Sequence, residues 1–174
     1  TGKSYLDTRS ALDELNLSDA DSERLGLRLY KVGMTWPMEP HGLKKFAEGL
    51  DLIILVEEKR GLMKGQVKEM LYGIANAPRI IGKSDEQGQP MFLSSGALDP
   101  NQIAQVIGHR ILKNVADDRL VNRVAAIDRL LSQHEDSNIG VVRMPYFCPG
   151  CPHSTGTKIP EGSKALAGIG CHFL

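Results

Sequence analysis

Apolar and polar positions alternate along the first two thirds of the chain in two different rhythms. Short β-rich apolar runs are separated by longer segments with apolar residues at helical spacing, the signature of an α/β domain with a parallel sheet. Ser4 is expected to cap a first helix in which Leu12 and Leu15 share a face, with Tyr5 earlier on it. The strand that should precede this helix is not in the sequence. Residues 27–32 read as a strand, a helix is expected to start near Pro40, and residues 51–57 read as a central strand. In that last segment Leu52, Ile53, Ile54, Leu55 and Val56 are unbroken by polar residues, which predicts burial on both faces.

Met63, Val67, Met70 and Leu71 recur at spacings of three and four and form one stripe of a helix, with Lys64, Lys68 and Glu69 on its other face. Residues 79–82 suit a further strand. Residues 82–95 are polar and contain Gly, and read as a surface excursion. Asp99-Pro100 marks a helix start, because Asp accepts from free amides and Pro at the first position gives up no needed donor. Ile103, Val106, Ile107 and Ile111 are its buried stripe. A second helix over 118–133 carries Leu120, Val124, Ile127, Leu130 and Leu131 on one side, and either packs on this domain or links it to the next.

Composition narrows the class. With 174 residues, 41% hydrophobic and 24% charged, the chain reads as globular rather than disordered or fibrous. Lys plus Arg equal Asp plus Glu at 21 each, leaving no long-range field for nucleic acid or an anionic membrane surface. The longest apolar run, Leu52 to Val56, is far below the ~18 residues of a membrane span. The start at Thr1-Gly2-Lys3, with no leader pattern, and the apolar stop at Phe173-Leu174 lead us to expect that both ends are cuts in a longer polypeptide.

After Gly140 the character changes, with four of the nine prolines and all three cysteines in the remaining stretch. An odd, clustered set argues against a disulfide framework and for a reducing cytoplasm. Cys148-Pro149-Gly150-Cys151-Pro152-His153 spaces two thiols so that both sulphurs turn toward one metal-sized object, with Gly150 allowing the tight path and the prolines stiffening it. Cys171 follows in a second Gly-rich setting, Gly168-Ile169-Gly170. Thiolates suit zinc and iron-sulphur clusters alike. A four-cysteine zinc site lacks its second pair, since position 174 is Leu. A Cys₃His zinc site using His153 or His172 stays open, as does a four-cysteine cluster whose last ligand lies beyond this chain. A redox dithiol fits less well, because such a motif sits at a helix start, whereas Pro152 and the polar residues after it suggest a loop.

Three further features have competing readings. Glu57-Glu58 ends a strand where open α/β sheets place ligand contacts, and is expected to be a solvated acid pair. Trp36-Pro37 is expected to be a turn with its ring packed at a domain contact. Thr1-Gly2-Lys3-Ser4 has the letters of a phosphate-loop end without the preceding strand and glycine, and is a weak signal. Met38, Met63 and Met70 are expected core filler.

The stretch RMPYFCPGCPH over 143–153, continuing through TKIPEGSKALAGIGCH over 157–172, resembles the start of the thiamine-binding domain of indolepyruvate:ferredoxin oxidoreductases. Upstream, LYKVGMTWPMEP over 29–40 and ILVEEKR over 54–60 resemble the preceding transketolase C-terminal-like domain of the same large polypeptides. The resemblance implies a parallel-sheet domain over 1–138 and the beginning of a thiamine-diphosphate-binding domain over 139–174. It implies that Cys148, Cys151 and Cys171 are ligands of a [4Fe-4S] cluster, with the fourth downstream, and that His153 lies beside the thiamine. The parent enzyme it implies oxidatively decarboxylates an aryl 2-oxoacid, indolepyruvate, to its acyl-coenzyme A, with ferredoxin as electron acceptor. Thiamine diphosphate and Mg²⁺ would be held mostly by other domains of the same polypeptide, the enzyme would be a cytoplasmic homo-oligomer, and this piece alone would be inactive. The reading from a different class is a non-enzymatic α/β interaction domain with a zinc-stabilised tail.

Overall fold

A computed structural model of the chain describes residues 2–136 and 147–164. Two compact units divide it, Thr1–Glu135 and Asp136–Leu174. The first contains α1 (Lys3–Glu14), α2 (Asp19–Arg24), α3 (Pro40–Ala47), β1 (Leu52–Ile54), α4 (Leu62–Leu71), β2 (Arg79–Ile81), α5 (Pro100–Leu112) and most of α6 (Asp118–Asp136). It is a mixed α/β unit in which β1 and β2 pair in parallel, with Ile53 opposite Ile80, and α4 makes the crossover.

The apolar run at 51–57 thus supplies the shorter strand β1, continued by one bond from the Leu55 amide to the Ile81 carbonyl at 3.0 Å. Its side chains alternate between two cores, as a strand's pleat requires. Ile53 and Leu55 join Leu43, Met63, Val67 and Leu71 beneath α3 and α4. Ile54 and Val56 pack against the other cluster, built from Ala11 and Leu15 of α1, Ile103 and Ile107 of α5, and Leu120, Val124 and Ile127 of α6. The second long helix therefore packs on the first unit, which settles the two roles open to it. Gly108 makes this packing close: a Cβ there would lie 2.4 Å from Val124 Cγ2 and 3.0 Å from Leu15 Cδ2. As expected, Asp99 caps α5 through the Asn101 amide at 2.8 Å with Pro100 in the first turn, and Met38 and Met63 are buried.

Three expectations are corrected. Ser4 does not cap α1, because the helix has already begun at Lys3; Gly2 holds the cap position at φ 52°, and the Ser4 carbonyl accepts from the Thr8 hydroxyl at 2.7 Å. Residues 27–32 are not a strand. A strand exists only with a partner ladder, and this segment lies across a cleft of about 910 Å³ from β1. Its side chains anchor it to helices instead, with Arg28 donating to the Glu48 carbonyl at 2.6 Å, Tyr30 stacked on Phe46 at 4.9 Å, and Lys31 over the Tyr5 ring at 5.1 Å. Finally, 82–95 is not only surface. Ser84 and Pro90 form an antiparallel bridge, the Asp85 carboxylate gathers the amides of Gln87 and Gln89, and Phe92 is buried against α5.

The short helix α2 was not anticipated, although its signal was local: Ser18 and Asp21 cap each other reciprocally, with the Asp21 amide on Ser18 Oγ at 3.1 Å. The second unit contains the one-turn helix α7 (His153–Gly156). No described helix is long and apolar enough to cross a membrane.

Candidate functional site

In the second unit the paired thiols sit on one tight turn. The Cys151 amide donates to the Cys148 carbonyl at 2.9 Å, closing a four-residue turn with Pro149 and Gly150 at its centre. Gly150 has φ 77°, the left-handed backbone that the third position of a Pro-Gly turn requires and that Gly enters without steric cost. Pro152 then starts α7, with the Ser154 amide bonding the Cys151 carbonyl at 3.0 Å and the Gly156 amide the Pro152 carbonyl at 3.0 Å. A plain loop was expected after Cys151. The fixed φ of Pro152 suits a helix start, and the turn winds into one cycle of helix.

The bend at Pro152, where that cycle opens, sets His153 beside one thiol: Nδ1 lies 3.3 Å from Cys151 Sγ, and the ring stacks on Phe147 with centroids 6.1 Å apart. Cys148 is exposed and Cys151 half-buried. The turn therefore presents two sulphurs and an imidazole on the same few residues, a soft donor set that fits a thiolate-held metal centre. Cys171 lies outside the described residues. Among the described residues no group of three or more His, Cys, Asp or Glu side chains converges closely enough to hold a metal ion.

A second polar cluster closes the carboxyl end of β1 in the first unit. Glu57 is buried, with 6% of its surface exposed, and its Oε1 accepts the Met63 amide at 2.6 Å, capping α4 from outside the helix. Glu58 is partly buried and pairs with Lys3 at 3.3 Å. The expected solvated pair is thus corrected at Glu57, which the start of α4 draws inward through the Met63 amide, while Glu58 is only partly buried. Lys3 also binds Asp7 at 2.5 Å and the Leu98 carbonyl at 3.0 Å, and the Asp7 bond, foremost, holds its pKa up. This is a structural lysine, and Lys3 and Ser4 belong to the first turn of α1. Burial lowers the pKa of Lys83, while the charges of Glu57 and Glu58 oppose that shift.

Beside this cluster Gln66 is buried in the apolar stripe of α4, a position that periodicity gives to a hydrophobe. Its Oε1 accepts the Met38 amide at 2.9 Å and its Nε2 donates to the Thr35 carbonyl at 2.8 Å, so one side chain clamps both ends of the Trp36-Pro37 turn. Trp36 itself is 65% exposed, so its ring finds no burial within this unit.

Comparison with known proteins places these features in a lineage. Residues 1–134 match the model of the indolepyruvate oxidoreductase domain. The chain is similar to the indolepyruvate oxidoreductase subunit IorA of Thermococcus kodakarensis, 28% identical over 180 aligned residues that take in 99% of this chain and 24% of the relative. It thus spans about a quarter of the length of that curated relative. No solved structure matches it.

Proposed function

Because this chain belongs to the indolepyruvate oxidoreductase family, we propose that it contributes cluster ligands to an enzyme that oxidatively decarboxylates an aryl 2-oxoacid, indolepyruvate, to its acyl-coenzyme A. In this reading Cys148, Cys151 and Cys171 hold a [4Fe-4S] cluster together with one ligand from outside the chain, and ferredoxin takes the electrons. The observation that carries the reading is the Cys148–Cys151 turn with His153 3.3 Å from Cys151 Sγ. It lies in a chain that is similar to IorA along nearly all of its length.

When bound, thiamine diphosphate with Mg²⁺ supplies the nucleophilic carbon for decarboxylation, and the cluster accepts electrons singly. The residues of this chain position and tune. Pro149 and Gly150 fix the turn before any iron is present, so little backbone freedom is lost when Cys148 and Cys151 ligate. The amides of Ser154, Thr155 and Gly156 bond the carbonyls of Cys151 and Pro152, so the backbone after the thiols is held by its own turn. His153 is placed to hold a hydrogen bond at the ligand sulphur or at the thiamine, with its ring stacked on Phe147. We take 1–138 as a transketolase C-terminal-like domain that serves assembly, a reading supported by the parallel β1–α4–β2 crossover, and 139–174 as the opening of the thiamine-binding domain. The groups that activate the thiamine and hold its diphosphate belong to other parts of a cytoplasmic, homo-oligomeric enzyme, and the chain by itself is inactive.

The test is iron and acid-labile sulphide analysis of the full-length polypeptide purified without oxygen. About four irons with matching sulphide per cluster, lost on Cys148→Ala or Cys151→Ala, is the expected result. Stoichiometric zinc without sulphide would replace this reading with a structural zinc module.

A further inference from the structure

Only one carboxylate oxygen of Glu57 is in use. Oε1 accepts the Met63 amide at 2.6 Å, while Oε2 is buried and has no hydrogen-bond partner among the described residues. A buried, ionised oxygen left unpaired is costly and calls for a donor. Two amines of this corner are committed elsewhere: Lys83 donates to the Leu93 carbonyl at 2.6 Å, and Lys3 serves Asp7, Glu58 and the Leu98 carbonyl. Lys59 and Arg60 are exposed and do not bond Glu57. The space in front of the acid pair is a pocket of about 570 Å³ at the carboxyl end of β1, with Thr35, Glu57, Glu58, Gly61 and Leu62 in its wall. Gly61 leaves room beside Oε2, where a Cβ would lie at 3.7 Å.

The rim of this pocket is apolar. Gln66 Nε2 donates to the Thr35 carbonyl at 2.8 Å and to the Leu62 carbonyl at 3.3 Å, so the turn bearing Trp36 stands beside the first turn of α4. Met34, Trp36 and Leu62, on these two segments, are each more than half exposed. Exposed tryptophan and methionine around a desolvated polar group are the composition of a protein contact. A divalent cation does not suit the pocket, because among the described residues no three His, Cys, Asp or Glu side chains converge. A guanidinium does: it is planar, offers paired donors to a carboxylate, is weakly hydrated and stacks on an indole face. The geometry points to one occupant, an arginine side chain from another domain of the parent polypeptide, with its guanidinium on Glu57 Oε2 and its stem against Trp36 and Leu62. The source rests on the family reading above, since most of the length of the relative lies outside the matched region.

Arginine reactivity toward phenylglyoxal, mapped by mass spectrometry on the full-length polypeptide, tests this. Glu57→Gln keeps an acceptor for the Met63 amide and puts a donor in place of Oε2. One arginine outside these 174 residues, shielded in the parent, is expected to react roughly tenfold faster in that variant, the loss of one charge-assisted hydrogen bond. Trp36→Ala, a change at an exposed side chain, is expected to release the same arginine, and it decides alone if Glu57→Gln does not fold. No arginine released in either variant would overturn the proposal. Release only of an arginine within the 174 residues, Arg60 included, would also overturn it, by making this chain or a second copy of it the occupant. Iron and sulphide content of the same samples reads the cluster ligands separately, so either reading can fail without the other.

Discussion

Gln66 Oε1 accepts the backbone amide of Met38 at 2.9 Å inside an otherwise apolar stripe. With its other arm on the Thr35 carbonyl, this side chain fixes a turn from a helix distant in sequence. Removing it leaves a buried donor without a partner. We expect Gln66→Leu to destabilise the first unit by about 2 kcal/mol, read as a lower urea midpoint at unchanged slope. Gln66→Glu turns a carboxylate oxygen against the Thr35 carbonyl in a buried site and should lose more; a loss below about 0.5 kcal/mol in Gln66→Leu would mean that the clamp contributes nothing specific.

Gly108 lets three helices meet. A methyl group there meets Val124 Cγ2 at 2.4 Å, and overpacking of this kind costs about 1–3 kcal/mol, more than the ~1 kcal/mol that Ala gains over Gly in a helix. Gly108→Ala should therefore lower the thermal midpoint, and Val124→Ala, harmful alone, should recover part of the loss in the double variant. Strictly additive losses in calorimetry would place the strain elsewhere.

Asp21 sets an acid limit on the α2 region. The Ser18 hydroxyl, the Arg24 guanidinium and the Ser18 amide together hold its pKa near 2, below the ordinary 3.8. A depressed carboxyl pKa contributes stability that is full above the ordinary value and is lost as pH falls through the folded one. The capping box should thus weaken between about pH 4 and pH 2, visible as an Asp21 carboxyl carbon shift with a midpoint near 2. A midpoint near 3.8 would show that Ser18 and Arg24 do not engage it in solution.

Gly150→Ala probes the thiol turn. With φ at 77°, a Cβ adds about 1 kcal/mol of backbone strain, and the variant should bind less iron while the circular dichroism of the rest stays constant. Iron content equal to that of the parent would mean that the turn is not the geometry of the bound form.

Local signals in the sequence carried the elements that depend on local chemistry. Asp99-Pro100 caps α5 because both residues act on the first turn they belong to, and the stripe of Leu120, Val124 and Ile127 is buried because periodicity alone defines a face. Ser18 and Asp21 were equally readable but lacked an apolar run behind them to draw attention. What was illegible depended on partners far along the chain. Residues 27–32 have strand-like composition, yet composition does not supply a ladder. Glu57 and Gln66 look like surface polar residues until α4 folds over them. At the candidate site, the spacing of Cys148 and Cys151 revealed their common turn, and the helical turn that opens at His153 was not foreseen, because Pro152 reads equally as a loop residue and a helix start.

The buried Phe92 gives the excursion at 82–95 a fixed root and a separate tip. Gly88, exposed at φ 82°, stands at the far end of the Ser84–Pro90 bridge, and nothing in the core rests on it. A fluorophore, an affinity tag or even a small inserted domain placed at Gly88 would report on this protein inside its parent assembly while the hydrophobic anchor stays seated, whereas the same graft four residues later would pull the plug out.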